Sequence, residues 1–323
     1  MAESQQPKSN SNLEKVLAQG HFAVSGEVGP PKGTGTEGIR EKGAMLKNYT
    51  DALNITDNQT AIVRMCSLAG CTVLKQAGTD PLMQIVCRDR NRLAIQADVL
   101  GAVALGINNF LCLSGDHQKF GNHPNAKGVY DLDSIQLIAT LRQMRDDKKF
   151  ICGEDISGDI PMFIGAAANP YADPFEFRVT RLAKKVNAGA DFIQTQAVYD
   201  IDKFARYMEL VRGMGLDKRT HILAGIIPVR ASGMARYMKN FVPGVAVPQS
   251  LIDRMKAAED KGGEDKKQRA EYGREEGINI SLTLMEQVRQ IPGVHGIHIM
   301  AVNWEEIVPV LVERAGLYPR PQV

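Results

Sequence analysis

The chain has 323 residues, 44% of them hydrophobic and 24% charged, with a formal net charge of +2. That is the make-up of an ordinary globular enzyme: the charge balance excludes a surface built for nucleic acid, and no apolar run reaches the ~18 residues of a membrane-crossing helix. The five cysteines, Cys66, Cys71, Cys87, Cys112 and Cys152, have irregular spacing and no zinc-like pattern, which points to reduced thiols in the cytoplasm and to no metal site.

Residues 1–12 are polar and lack the apolar core of a signal peptide, so residues 1–20 are expected to be a frayed tail ahead of one domain over 21–323. The first apolar run, 22–28, carries Glu27 and stops at Gly29-Pro30-Pro31, where the prolines end ladder pairing. A helix is predicted over 36–47, with Ile39, Met45 and Leu46 inward. The second run, 52–56, ends in Thr56; Cys66 and Cys71 follow in a loop or helix start. The third, 82–87, contains Gln84, and a helix over 89–105 follows with Asp89 as N-cap. The fourth, 110–114, leads into Gly115-Asp116 and a helix over 131–147. The fifth, 162–168, precedes Asn169, and Asp173-Pro174 reads as the start of a helix that stops at Gly189. The sixth, 192–197, holds Gln196 and is followed by a helix over 202–213. The seventh, 222–227, ends at Pro228 ahead of a helix over 232–241. The eighth, 296–302, leads to Asn303.

Between the seventh and eighth runs, residues 257–276 are dense in Glu, Asp, Lys and Arg around Gly262-Gly263. This is a solvated helical excursion or a contact surface for a partner. Eight alternating strand and helix segments specify an α/β protein with a single (β/α)8 TIM-type barrel, whose active site lies at the carboxyl ends of the strands.

Several strand ends carry residues with chemical uses. Glu27 reads as a partly desolvated carboxylate in the barrel mouth, a general acid or a rim ion-pair partner. In Ser114-Gly115-Asp116 the glycine permits close approach of a ligand and Asp116 adds a second negative charge, although tight turns use the same letters. Gln194 and Gln196 share one face of a strand, and their amides suit the edge of a heterocycle. Asn303 is similar, and His298 reads as a core or rim histidine. No dinucleotide fingerprint, phosphate loop or nucleophile elbow is present, so any nucleotide cofactor is held by the barrel itself.

Taken in order, these segments resemble the methylenetetrahydrofolate reductase family from about residue 22 to 317. The likeness is carried by Ser25-Gly26-Glu27-Val28-Gly29-Pro30-Pro31, Asn54-Ile55-Thr56, Leu113-Ser114-Gly115-Asp116, Gly165-Ala166-Ala167-Ala168-Asn169-Pro170 and Lys184-Lys185-Val186-Asn187-Ala188-Gly189-Ala190-Asp191. It continues through Thr195-Gln196 with Asp200, Gly225-Ile226-Ile227-Pro228-Val229, and Gly293-Val294-His295-Gly296-Ile297-His298 leading to Asn303. The resemblance implies a barrel that binds FAD noncovalently and reduces 5,10-methylenetetrahydrofolate to 5-methyltetrahydrofolate. It implies Glu27 as general acid and Asp116 as a carboxylate facing both flavin and folate. It implies Gln196 and Asn303 as substrate contacts, and Thr56, Gln84, Ser114, Gly115, Asp116, Tyr130, Asn169 and Lys185 around the flavin.

The chain departs from better-known members of that family. Gln84 stands in place of His, Ser114 in place of Arg, Asn169 in place of Tyr, and Arg178 in place of an acidic residue. No aromatic residue lies between Pro228 and Tyr237, where many members place one near Ser232 to stack on nicotinamide. The resemblance therefore leaves two electron donors, NAD(P)H or an iron–sulfur partner subunit, and implies a homo- or hetero-oligomer. The competing readings are a flavin-free pterin-binding methyltransferase or lyase of the same fold, and a non-catalytic folate- or flavin-binding subunit.

Overall fold

The eight apolar runs form eight parallel strands: β1 (Ala23–Val28), β2 (Ala52–Ile55), β3 (Pro81–Val86), β4 (Asn109–Leu113), β5 (Phe163–Ala168), β6 (Phe192–Ala197), β7 (His221–Ile226) and β8 (Gly296–Ile299). They close in sequence order into a barrel, with β8 returning to β1 through the pairs Ala23–Gly296, Ser25–His298 and Gly26–Ile299. The computed structural model describes residues 7–242 and 244–323. Strands β2, β3 and β8 are buried along their whole length, as expected of parallel strands covered on both faces.

Single helices follow the first six strands: α2 (Glu37–Leu46), α3 (Ser67–Gln76), α4 (Arg92–Ala104), α5 (Ser134–Arg142), α6 (Phe177–Ala188) and α7 (Ile201–Gly213). After β7 come α8 (Ser232–Phe241), α9 (Gln249–Asp260) and α10 (Lys266–Gln290), and β8 is followed by α11 (Ile307–Arg314). The charged stretch 257–276 thus forms the end of α9, a turn and the start of α10. Its exposed first half gives way to Ile278, Ser281, Leu284, Met285 and Val288, which pack inward. Gly277 is required where α10 crosses the chain after β7, because a Cβ there would fall 1.8 Å from the Val229 carbonyl oxygen.

Three helix starts differ from the sequence expectation. Helix α5 begins at Ser134 behind its cap Asp133 rather than at Asp131. Helix α4 begins at Arg92, capped by Asn91 Oδ1, which accepts from the N–H groups of Leu93 and Ala94 at 3.1 Å. Asp89 is unavailable as a cap, since Arg88 takes its carboxylate at 2.6 and 2.7 Å. Helix α6 begins at Phe177, and the Asp173 and Pro174 carbonyls accept from Arg178 at 3.1 and 3.3 Å.

The expected frayed tail is also corrected. Residues 1–6 lie outside the described residues, but from Lys8 onward the segment is built into the barrel floor. Glu14 Oε1 and Oε2 accept from the backbone N–H groups of Lys8, Ser9 and Asn10 at 2.6, 2.7 and 2.8 Å, which folds the segment back on itself. Helix α1 (Asn12–Ala18) then drives Leu13, Val16 and Leu17 against Leu82, Leu111, Phe163 and Phe192, sealing the amino end of the barrel. Arg320 clamps the same end, donating to Asp51 Oδ2 at 2.6 Å and to the Phe22 carbonyl at 2.7 Å.

Candidate active site

At the opposite end the barrel interior turns polar. Ser25 and Glu27 alternate on the inner face of β1, and Ser25 lies in register with His298 of β8. Glu27 Oε2 accepts from Gln84 Nε2 at 3.2 Å and lies 3.8 Å from His298 Nε2. Behind it, His298 Nδ1 meets Ser25 Oγ at 3.0 Å, and that oxygen also accepts from Gln194 Nε2 at 3.1 Å. Gln194 and Asn54 exchange amide hydrogen bonds at 2.7 and 3.2 Å. Ser25, Asn54, Gln194 and His298 are all buried, so each polar group draws its partner from within this chain of contacts. Sequence reading took His298 for a bland core or rim histidine and passed over Ser25 and Asn54. The available signal was a polar residue inside an otherwise apolar strand, which needs a buried partner.

Above this network opens a cavity of about 330 Å³. Glu27 and Gln84 form one wall; Gln196, Asn169 and the cationic side chains of α6 contribute to the others. Strand β6 slips register against β7 between Gln194 and Ala197, and Gln196 sits in that irregularity with its Oε1 held by the Ala197 N–H at 3.1 Å. Such a bulge re-aims a side chain at a barrel rim. Lys185 reaches in from α6 and donates to the Ala167 carbonyl at 2.5 Å. Burial, with Arg181 beside it, pushes the Lys185 ammonium down to about 8.

Five sequence-predicted site residues, Glu27, Gln84, Asn169, Lys185 and Gln196, therefore line one cavity. The remaining predicted residues lie around the mouth but outside that lining. Thr56 is buried just beyond β2, and its hydroxyl has no hydrogen-bond partner among the described residues. Gly115 adopts φ +87°, and a Cβ there would lie 3.1 Å from the Cβ atoms of Val86 and Arg88. Asp116 is not part of that lining: its carboxylate accepts from the Thr60 N–H at 3.1 Å and its carbonyl from Arg88 Nη1 at 3.0 Å. The Ser114 carbonyl accepts from the Arg88 N–H at 3.0 Å. Tyr130 and Asn303 are exposed, with φ +44° and +52°.

The loops that carry these residues are cross-linked and strained. Arg88 also donates to the Asn58 carbonyl at 3.2 Å, and Arg90 donates to Asp57 at 2.6 Å, tying together the ends of β2, β3 and β4. Burial raises the Asp57 carboxyl above its usual range despite Arg90. Asn58, Thr60 and Ala61 all take positive φ, a costly conformation for a β-branched threonine. The connection from β4 to α5, residues 114–133, contains only the short turn Gln118–Phe120.

Comparison with known proteins matches this architecture. A family model described as methylenetetrahydrofolate reductase matches residues 12–316. The chain is 26% identical over 326 residues to methylenetetrahydrofolate reductase 2 of Schizosaccharomyces pombe, covering 95% of this chain and 47% of that protein. It is 22% identical over 325 residues to the 5,10-methylenetetrahydrofolate reductase of Escherichia coli, covering 98% and 97% respectively. It spans between 36% and 47% of the length of its two fission-yeast relatives. An uncharacterized Clostridium thermocellum protein that binds two copies of 5-methyl-5,6,7,8-tetrahydrofolic acid shares the fold, with a TM-score of 0.60 and 15% identity over 95% of this chain and 100% of that one. With a match that runs through nearly all of its length, the chain belongs to the methylenetetrahydrofolate reductase family.

Proposed function

We propose that the chain reduces 5,10-methylenetetrahydrofolate to 5-methyltetrahydrofolate with noncovalently bound FAD as its cofactor. The observation that carries this reading is Glu27: a single carboxylate in the cavity lining, positioned by Gln84 and backed by His298 and Ser25. The residues around it fit a flavin dinucleotide. The Thr56 hydroxyl is buried without a partner among the described residues, and Lys185 adds a positive charge on the facing helix.

Glu27 delivers a proton to the folate amine that departs as the five-membered ring opens, leaving a cationic methylene carbon. Reduced flavin, when bound, supplies the hydride. His298 and Ser25 behind it fix the position of the Glu27 carboxyl group. The Gln196 amide, held at the bulge of β6, orients the pterin edge, with Asn303 at the rim as a further substrate contact. Thr56, Gln84, Ser114, Gly115, Tyr130, Asn169 and Lys185 would hold the flavin. Asp116 joins them when the Thr60 N–H releases its carboxylate, and its charge then steadies the cationic carbon.

Electrons come from NAD(P)H or from an iron–sulfur partner subunit in a cytoplasmic homo- or hetero-oligomer. The α8 start argues against nicotinamide stacking. Ser232 is buried there, and its N–H and hydroxyl both donate to Glu259 at 2.7 Å, so no ring is offered to nicotinamide. Anaerobic stopped-flow mixing with NADH is expected to bleach the flavin slowly; rapid bleaching at micromolar NADH would remove the case for the partner. Among the described residues no helix is long and apolar enough to cross a membrane.

The decisive variant is Glu27→Gln. It keeps the hydrogen-bonding shape but cannot give a proton. Reoxidation of the reduced flavin by methylenetetrahydrofolate is expected to slow about 10²–10⁴-fold, with flavin binding and reduction unchanged. Turnover within threefold of the parent would end this assignment.

A further inference from the structure

Arg88 lies just beyond β3, is buried, and is not part of the Glu27 cavity lining. Its side chain and backbone gather four segments of the barrel mouth. The guanidinium pairs with Asp89 at 2.6 and 2.7 Å, which offsets the cost of burying its charge. Its other bonds go to backbone: Nη1 donates to the Asp116 carbonyl at 3.0 Å and Nη2 to the Asn58 carbonyl at 3.2 Å. The Arg88 N–H donates to the Ser114 carbonyl at 3.0 Å, and the Arg88 carbonyl accepts from the Val129 N–H at 2.7 Å. The two side-chain anchors on backbone flank a single contact. Thr60, two residues after Asn58, gives its N–H to the Asp116 carboxylate at 3.1 Å. Asn58, Thr60 and Ala61 all take positive φ, and such strain persists only where the surroundings hold the chain in place. A guanidinium suits this task, because its donors form a fixed planar fork that reaches several acceptors at once. The three donors of a lysine sit on one nitrogen and cannot span carbonyls on two loops while pairing with a carboxylate.

We propose that Arg88 is a positioning residue that acts through Asp116, holding the backbones of both loops so that the Asp116 side chain alone moves between Thr60 and the ligand. The proposal rests on the reading above, in which Asp116 serves flavin and folate, and deepens it. Without the clamp the turn at 58–61 relaxes from its positive φ values and the Thr60 N–H drifts from the carboxylate. Asp116 then meets the cationic carbon in many orientations instead of one, and a misplaced group loses much of its effect on the barrier. Arg88 needs no contact with either ligand to do this.

The test uses the full-length chain as parent, Arg88→Lys, Asp116→Asn and the double variant. Arg88→Lys keeps the buried charge beside Asp89 and loses the span, so it spares the fold where a neutral residue would endanger it. The first readout needs no flavin: amide hydrogen exchange at Thr60, resolved by NMR, is expected to quicken at least threefold in Arg88→Lys, with the amides of α1 unchanged. The second is reoxidation of FAD-loaded, reduced protein by methylenetetrahydrofolate. Arg88→Lys is expected to slow it tenfold or more in the parent background but less than threefold in the Asp116→Asn background, with FAD affinity within threefold throughout. Coupling of this kind marks residues that act as a unit. Equal slowing in both backgrounds would give Arg88 a role independent of Asp116 and overturn the proposal, as would parental rates in Arg88→Lys or unchanged exchange at Thr60. A parent that binds no FAD would end the reading above. Faster Thr60 exchange in that protein would still support the clamp, and unchanged exchange would overturn it as well.

Discussion

Lys185 combines an energetic cost with a place in the site. Its ammonium is half-buried, bound to a carbonyl and next to Arg181, and its folded-state value falls to about 8 from the usual 10.5. Between these two values the unfolded chain binds more protons than the folded one, so stability rises with pH across that window. Below about pH 8 the penalty is present in full. Lys185→Met is therefore expected to stabilise the unliganded protein at pH 7, by at most about 3 kcal/mol from the shift, raising its thermal midpoint, and to lose that advantage above about pH 10.5. Melting curves at the two pH values check this; a lower midpoint at pH 7 would show that the bond to Ala167 outweighs the buried charge. Glu27, Gln84, Asn169 and Gln196 were legible as neighbours because strand ends in a barrel converge, whereas Lys185, in the last turn of α6, came only from the family resemblance. Asp116 obeys the same rule of position, yet its carboxylate turns to Thr60, 56 residues earlier. No local pattern announces such a partner.

Strands were the easiest elements to read, since burial on both faces turns them into continuous apolar runs, and their observed ends differ from the expected ones mostly by a residue or two. Helix α1 was missed for the converse reason. It buries three apolar residues, too few for a periodic signal, and its polar neighbours serve one another: Glu14 captures three backbone N–H groups and Ser11 caps the helix. Leu13 is fully buried where α1 closes the barrel floor. Leu13→Ala is expected to destabilise the protein by about 2–5 kcal/mol, the range for a buried leucine that leaves a cavity. Denaturant midpoints test it; a change below 0.5 kcal/mol would mean that the floor collapses around the gap or that α1 is not docked in solution.

The molecule divides its labour between two ends. The floor is sealed by α1 and clamped by Arg320, whereas the mouth carries the long β4–α5 connection and five of the seven non-glycine positive-φ residues among those described, Asn58, Thr60, Ala61, Tyr130 and Asn303. The consequence is an order of cutting when the native protein meets trypsin. Lys119 and Lys127 are exposed on that connection, outside any strand or long helix, while Lys8 is held to Asp191 and Lys15 lies within α1. Chain outside regular structure opens at little cost, so the earliest fragments should end near Lys119 and Lys127. Mass spectrometry of a timed digest shows the sequence of cuts. A first nick at Lys8 or Lys15 would mean that the barrel opens from its floor, and that the end sealed by apolar packing is the one that yields first.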